Sequence, residues 1–244
     1  RFLWETTYKY KIRITDFDGG NLRNAIAREA NAIITINRKR KDDFMKFFIQ
    51  FSEEVKKELA ITEPNLAMKI EPVDNPDFVM NRKAQHRLVN SLYSCPHGVI
   101  EWSREIDGLV ETSTNLASVK CKKGKINITT SQRSSVDTAK RDIANMVEST
   151  FLLADANVKH TDGYPGWQPN PESKILKITE AAYQRLFDQK PIVRAIHAGL
   201  ECGLFLEKYP DMDMISFGPT IWGAHSPDER INIETTMKFW KLLV

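Results

Sequence analysis

Apolar and polar residues alternate from Tyr8 to Ile14, the period of a strand with one buried face. Asp16-Phe17-Asp18-Gly19-Gly20 reads as a turn. Ala30 to Ile36 reads as a second strand, with Ala30, Ala32 and Ile34 on one face. The period then changes. Phe44, Phe47, Phe48, Phe51, Val55 and Leu59 recur at helical spacing, with Asp42 and Asp43 at the end where a helix dipole is positive. That phenylalanine stripe is a core face, and Leu66 to Ile70 is the expected returning strand. The pattern repeats after a short helix over Arg82 to Leu92. Val99 to Ser103, Val110 to Lys120 and Lys125 to Thr130 read as strands, with a hairpin turn at Gly124. Ser134-Ser135 can cap a helix that buries Ala139, Ile143, Met146, Val147 and Phe151, and Asn157 to His160 closes the copy. Two strand–strand–helix–strand repeats of this kind join edge to edge into one sheet with helices on one face, an α+β layer.

The stretch Tyr164-Pro165-Gly166-Trp167-Gln168-Pro169-Asn170-Pro171 is dense in turn residues and ends that pattern. It sets the expected boundary between a first domain, residues 1–163, and a second, residues 164–244. Beyond it the expected order is a helix over Glu172 to Phe187, a strand over Val193 to Ile196 and a helix over Cys202 to Tyr209. A strand over Met214 to Phe217 and a helix over Glu234 to Val244 complete it. Such alternation belongs to a helix-covered parallel sheet, and two strands cannot make one alone. The chain opens without Met, on Arg1-Phe2-Leu3-Trp4-Glu5, and stops inside an apolar helical pattern, so it is expected to be a fragment of a longer protein.

Composition narrows the class. Apolar residues make up 41% and charged residues 27% of the chain, ordinary for a soluble domain with a real core. The formal charge of +3 is spread out, and the densest basic run, Asn37-Arg38-Lys39-Arg40-Lys41, is a solvated connection, so no nucleic-acid partner is expected. No apolar run approaches the roughly 18 residues of a membrane span, so neither a span nor a basic-then-apolar leader is expected. Cys95, Cys121 and Cys202 are odd in number and widely spaced, which points to reduced thiols in the cytoplasm.

Candidate chemistry concentrates in the second domain. Open α/β sheets bind ligands beyond the C-terminal ends of their strands. Both expected strands deliver polar residues there: His197-Ala198-Gly199-Leu200-Glu201-Cys202-Gly203, and the loop with His225. His225 follows an apolar run and precedes Ser226-Pro227-Asp228-Glu229, an arrangement suited to a metal-bound imidazole oriented by acids. A catalytic zinc usually takes three protein ligands, and the chain has no His-x-Asp, Glu-Glu or His-Glu-x-x-His motif. Glu201 is either a helix N-terminal charge or an acceptor for a substrate's amino group. In the first domain Arg133 ends a strand, where it is either solvent-exposed or a bidentate grip on a carboxylate; Asn115 also stands out there. His86, His97 and His160 read as surface residues, and a Cys202–His197 nucleophile pair is rejected for lack of any family-type cysteine signature.

Together these residues carry a family resemblance. Asp18 to Ile26, Glu111-Thr112-Ser113-Thr114-Asn115-Leu116, Arg133-Ser134-Ser135, Tyr164-Pro165-Gly166-Trp167, His197 to Gly203 and Gly218 to Glu229 resemble, in order, motifs of the aminoacylhistidine (Xaa-His, carnosinase-like) dipeptidases. These belong to the superfamily of cocatalytic dizinc peptidases and acylases. The resemblance implies a lid, or dimerisation, domain up to residue 163, followed by the C-terminal part of an α/β zinc-peptidase catalytic domain. It implies that His225 ligates one zinc and that Arg133 grips the substrate carboxylate. It places Asn115 and Thr112 near the transition-state oxygen, and Glu201 in the substrate pocket. The implied cofactor is zinc, two ions per full-length subunit, and the implied partners are a small dipeptide substrate and a second copy bound through the lid. The family's other ligands and its Glu general base are expected before Arg1, so no catalytic base is expected within the chain and the chain alone is expected to be inactive. A related dizinc deacylase or tripeptidase, and a non-catalytic dimerisation module, are the alternatives.

Overall fold

The computed structural model describes residues 1–104, 106–122, 124–161, 163, 165–167, 170, 172–195, 201–224 and 228–244, with the side chains of Lys122 and Glu201 outside the description. The content is mixed α/β. In chain order the elements are α1 (Phe2–Lys9), β1 (Arg13–Gly20), β2 (Ala30–Thr35), α2 (Lys41–Glu58), α3 (Arg82–Ser94), β3 (Gly98–Trp102), β4 (Val110–Lys122), β5 (Lys125–Ser134) and α4 (Asp137–Leu152). Then come α5 (Lys174–Phe187), α6 (Glu201–Lys208), β6 (Ile221–Trp222), β7 (Arg230–Ile231) and α7 (Ile233–Leu243). The chain divides into two compact units: Arg1–Cys95 with Leu116–Thr130 and Val147–Val158, and Pro96–Asn115 with Ser131–Met146 and Lys159–Val244.

In the first unit β1 lies between β2 and β4, antiparallel to both. The expected strand over Tyr8–Ile14 is corrected here. Residues 2–9 form helix α1, and β1 begins at Arg13 and runs through the expected turn at Asp16–Gly20. The segment carries both periods, and aromatic packing selects the helical one. Phe2 meets the rings of Phe44, Phe47, Phe48 and Phe51 at centroid distances of 5.2–6.1 Å, and Trp4 stacks on Tyr93 at 4.9 Å. Lys11, at φ 56°, turns the chain from helix to strand. The glycines of β1 serve a close crossing instead of a turn. A Cβ on Gly20, whose φ is 63°, would lie 1.9 Å from the carbonyl oxygen of Ala117 in β4.

The returning strands expected over Leu66–Ile70 and Asn157–His160 are absent; both stretches are described and neither joins a ladder. Beside β1 the backbone near Ile14 is held by groups outside any strand. Ile14, on the edge of β1 away from β2, accepts from the Met80 N–H (2.7 Å) and donates to Gln85 Oε1 (2.9 Å). Gln85 Nε2 donates to the Ile12 carbonyl (3.0 Å) and to Thr7 Oγ1 (2.9 Å). One buried amide thus does the work of a strand. Around it Ile12, Ile14, Phe44, Val89 and Tyr10 form the main core, and Cys95, Val147 and Phe151 a second one.

In the second unit β3 pairs antiparallel with the first half of β4, with register shifts on either side of Glu101. The three expected C-terminal helices form as α5, α6 and α7. The expected strands do not: residues 193–195 and 214–217 join no ladder, and Ile196 lies outside the described residues. A strand exists through its partner, and the pairing found is a short one, Ile221 with Ile231 and Trp222 with Arg230. Side chains set the helix starts. Ser173 Oγ accepts from the Leu176 N–H (3.0 Å) and Asn232 Oδ1 from the Thr235 N–H (3.1 Å). Asp213 accepts from the Ile175 N–H (3.0 Å).

Candidate substrate-binding site

The hairpin of β4 and β5 carries Thr112, Asn115 and Arg133. Two side-chain pairs fix its register: Thr112 Oγ1 with Ser134 Oγ at 2.9 Å, and Gln132 Nε2 donating to Thr114 Oγ1 at 3.0 Å. The Ser135 N–H donates to the Glu111 carbonyl at 3.2 Å in the same register. Since successive side chains alternate across a strand, Ser113 stands opposite Arg133 and Asn115 opposite Ser131, all on one face. Arg133 and Asn115 are therefore brought to the same face, each half-buried. Thr112 faces the other way, fully buried against Ser134, and its hydroxyl also reaches Glu111 Oε1 at 3.3 Å.

Beyond Arg133 the backbone makes a series of close contacts. Ser134 Oγ accepts from the Val136 N–H (3.0 Å), which turns β5 toward α4. Gly166 sits on that turn: a Cβ there would be 2.7 Å from the Ser135 carbonyl oxygen, and its N–H points at Asp137 Oδ1 (3.4 Å). Gly203, in the first turn of α6, sits on the next layer, where a Cβ would be 2.6 Å from the Pro165 carbonyl oxygen. Three stretches far apart in sequence, Arg133-Ser134-Ser135, Pro165-Gly166 and Glu201-Cys202-Gly203, thus meet at one place.

The other expected site residues are not placed. His225, the expected metal ligand, and His197 lie outside the described residues, as does the side chain of Glu201. Among the described residues no group of three or more His, Cys, Asp or Glu side chains is arranged to hold a metal ion. Those residues do not themselves make a zinc centre.

Reading the sequence missed Ser134 and Gln132 as partners of Thr112 and Thr114. The sequence carries no signal for this pairing, since every residue over 111–115 and 131–135 is polar and no alternation marks the buried face. A groove of about 390 Å³ between α3 and the end of α4, lined by Lys83, His86, Arg87, Asn90, Thr150 and Leu153, contains none of the expected residues, and Arg87 there pairs with Asp155. The Cys95 thiol is pushed up to about 11 by burial, which removes it as a nucleophile at neutral pH.

The model of peptidase family M20/M25/M40 matches residues 11–244, and the chain belongs to that family. In sequence it is similar to the cytosol non-specific dipeptidase of Escherichia coli (strain K12), with 40% identity over 243 residues that cover 100% of this chain and 50% of that protein. In structure it is similar to the aminoacylhistidine dipeptidase from Vibrio alginolyticus, with a TM-score of 0.85 and 37% identity over 100% of this chain and 50% of that one. The family resemblance read from the motifs is borne out. The chain spans about half the length of both relatives.

Proposed function

We propose that this chain carries the lid domain (residues 1–163) and the C-terminal catalytic segment (residues 164–244) of a cytoplasmic, zinc-dependent dipeptidase. The whole protein cleaves Xaa-His dipeptides with a water held by two zinc ions, and it dimerises through the lid. The observation that carries the reading is the convergence of Arg133-Ser134-Ser135, Pro165-Gly166 and the start of α6, on a chain whose relatives are both named dipeptidases.

In this reading the guanidinium of Arg133 binds the substrate carboxylate through two parallel hydrogen bonds. Asn115, on the same face, donates its amide to the oxygen that gains charge during attack. Thr112 contributes through Ser134, fixing the backbone beside Arg133. Glu201 lies in the pocket and receives the substrate's amino group. Zinc, when bound, would lower the pKa of its water toward neutrality, and His225 would be the ligand this chain provides.

The test is hydrolysis of a simple Xaa-His dipeptide by the whole protein that contains this chain, beside His225→Ala and Arg133→Met. Zinc-dependent cleavage that disappears in His225→Ala supports the reading. Arg133→Met should raise KM by about 10- to 100-fold, roughly 1.4–2.8 kcal/mol of lost binding. Zinc binding without dipeptide cleavage would favour a related deacylase or tripeptidase, and no zinc binding would favour a dimerisation module.

A further inference from the structure

Resting on that reading, we propose that Gly166 and Gly203 are positioning residues: they form a backbone clasp that aims Arg133 at the substrate carboxylate. Glycine is a poor helix former, so Gly203 in the first turn of α6 needs a reason other than helix stability. Neither Gly203 nor Gly166 has a positive φ, so conformational freedom is not that reason. Close approach is. A Cβ on Gly203 would stand 2.6 Å from the Pro165 carbonyl oxygen and 3.5 Å from that of Gly166. A Cβ on Gly166 would stand 2.7 Å from the Ser135 oxygen and 3.1 Å from that of Ser134. All four obstacles are main-chain atoms, which cannot rotate aside as a side chain can.

The contacts therefore run in sequence, from α6 through Pro165 and Gly166 to Ser135, which lies two residues beyond Arg133. A methyl group at either glycine must push this stack apart by several tenths of an ångström. The shift is delivered to the backbone that carries the guanidinium. Bidentate pairing with a carboxylate is sensitive to displacement on that scale. Gly163 supplies the matched comparison. Among the described residues, a Cβ there would meet only the flexible end of Lys140, at 3.5 Å.

The experiment compares the whole protein and its Gly203→Ala, Gly166→Ala and Gly163→Ala variants on an Xaa-His dipeptide and on the same dipeptide with its carboxylate amidated. The wild type should prefer the free carboxylate. Gly203→Ala and Gly166→Ala should each lose about tenfold or more of that preference in KM, keeping kcat on the amide within about threefold, whereas Gly163→Ala should retain it. Retention of the wild-type preference in Gly203→Ala, or an equal loss on both substrates, would overturn the clasp.

A wild type that cleaves neither substrate sinks the dipeptidase reading instead. The clasp is then decided by hydrogen exchange, as it also is where an alanine variant does not melt cooperatively. The wild-type amides of Gly166 and Gly203 should exchange at a common rate, and unrelated rates would overturn the clasp.

Discussion

The two units of this chain bury their apolar residues to different extents. In the first, Phe44 is 2% exposed, and Ile12 and Ile14 are buried beside it with a ring of aromatics from α1 and α2. In the second, Phe239 of α7 packs on Phe217 at 5.5 Å, yet Ile233, Met237, Trp240 and Val244, spaced along another face, are 81%, 59%, 56% and 82% exposed. Glu234, Lys238 and Lys241 take one side of α7, which leaves a wide apolar face of the kind a helix turns toward a core. The first unit holds most of the buried apolar residues, though Ile61 and Leu153 are exposed, and the second leaves more large apolar residues exposed than it buries. On the proposed reading the surplus belongs to a larger catalytic domain, in keeping with relatives twice as long.

Removing the first unit's centre should have the largest effect. Phe44→Ala deletes a buried ring and should cost about 3–5 kcal/mol in chemical denaturation; a loss below about 1 kcal/mol would mean the core is not organised around it. Gln85→Leu should cost about 2–3 kcal/mol, since the Ile14 N–H and the Ile12 carbonyl lose their buried partner. Near-neutral behaviour would show that water or another donor replaces it.

The second unit should respond less. Asn232→Ala removes the cap on α7 and should cost about 1 kcal/mol, read as lost helicity by circular dichroism at fixed temperature. The smallest effect is pH-dependent. The hydroxyl of Ser173 and the Ile175 N–H hold the Asp213 carboxyl below its usual range. A depressed carboxyl contributes stability that is present above its unfolded pKa of about 3.9 and is lost as pH falls through the lower folded value. The stability gap between wild type and Asp213→Asn should therefore be level above pH ~5 and close on acidification. A gap that widens in acid would reverse the assignment.

Much of this molecule was legible in its residues, and the failures have physical causes. The stripe of Phe44, Phe47 and Phe51, the hairpin at Gly124 and the three C-terminal helices follow from period alone. The segment at Tyr8 failed because it satisfies two periods, and only the rings of Phe2 and Trp4 choose between them. The closing strands failed because neither stretch finds a ladder partner, and the backbone of Ile12 and Ile14 is held by the side chain of Gln85. Met214 to Phe217 has the composition of a strand but no neighbour to pair with among the described residues. For the proposed site, three of the motif stretches, at Arg133, Pro165 and Gly203, lie together in the structure. That Gly166 would lie against the backbone after Arg133, and Gly203 against Pro165, is a matter of distance, which composition does not encode.

The buried thiol of Cys95 has a practical use. With its pKa near 11, only about one molecule in three thousand carries the thiolate at pH 7.5, against roughly one in ten for an ordinary cysteine. Cys95 lies in the second core, beside Val147 and Phe151. With the less buried Cys121 and Cys202 replaced, a thiol-reactive dye will mark Cys95 at the pace at which that core opens, a stopwatch for local unfolding.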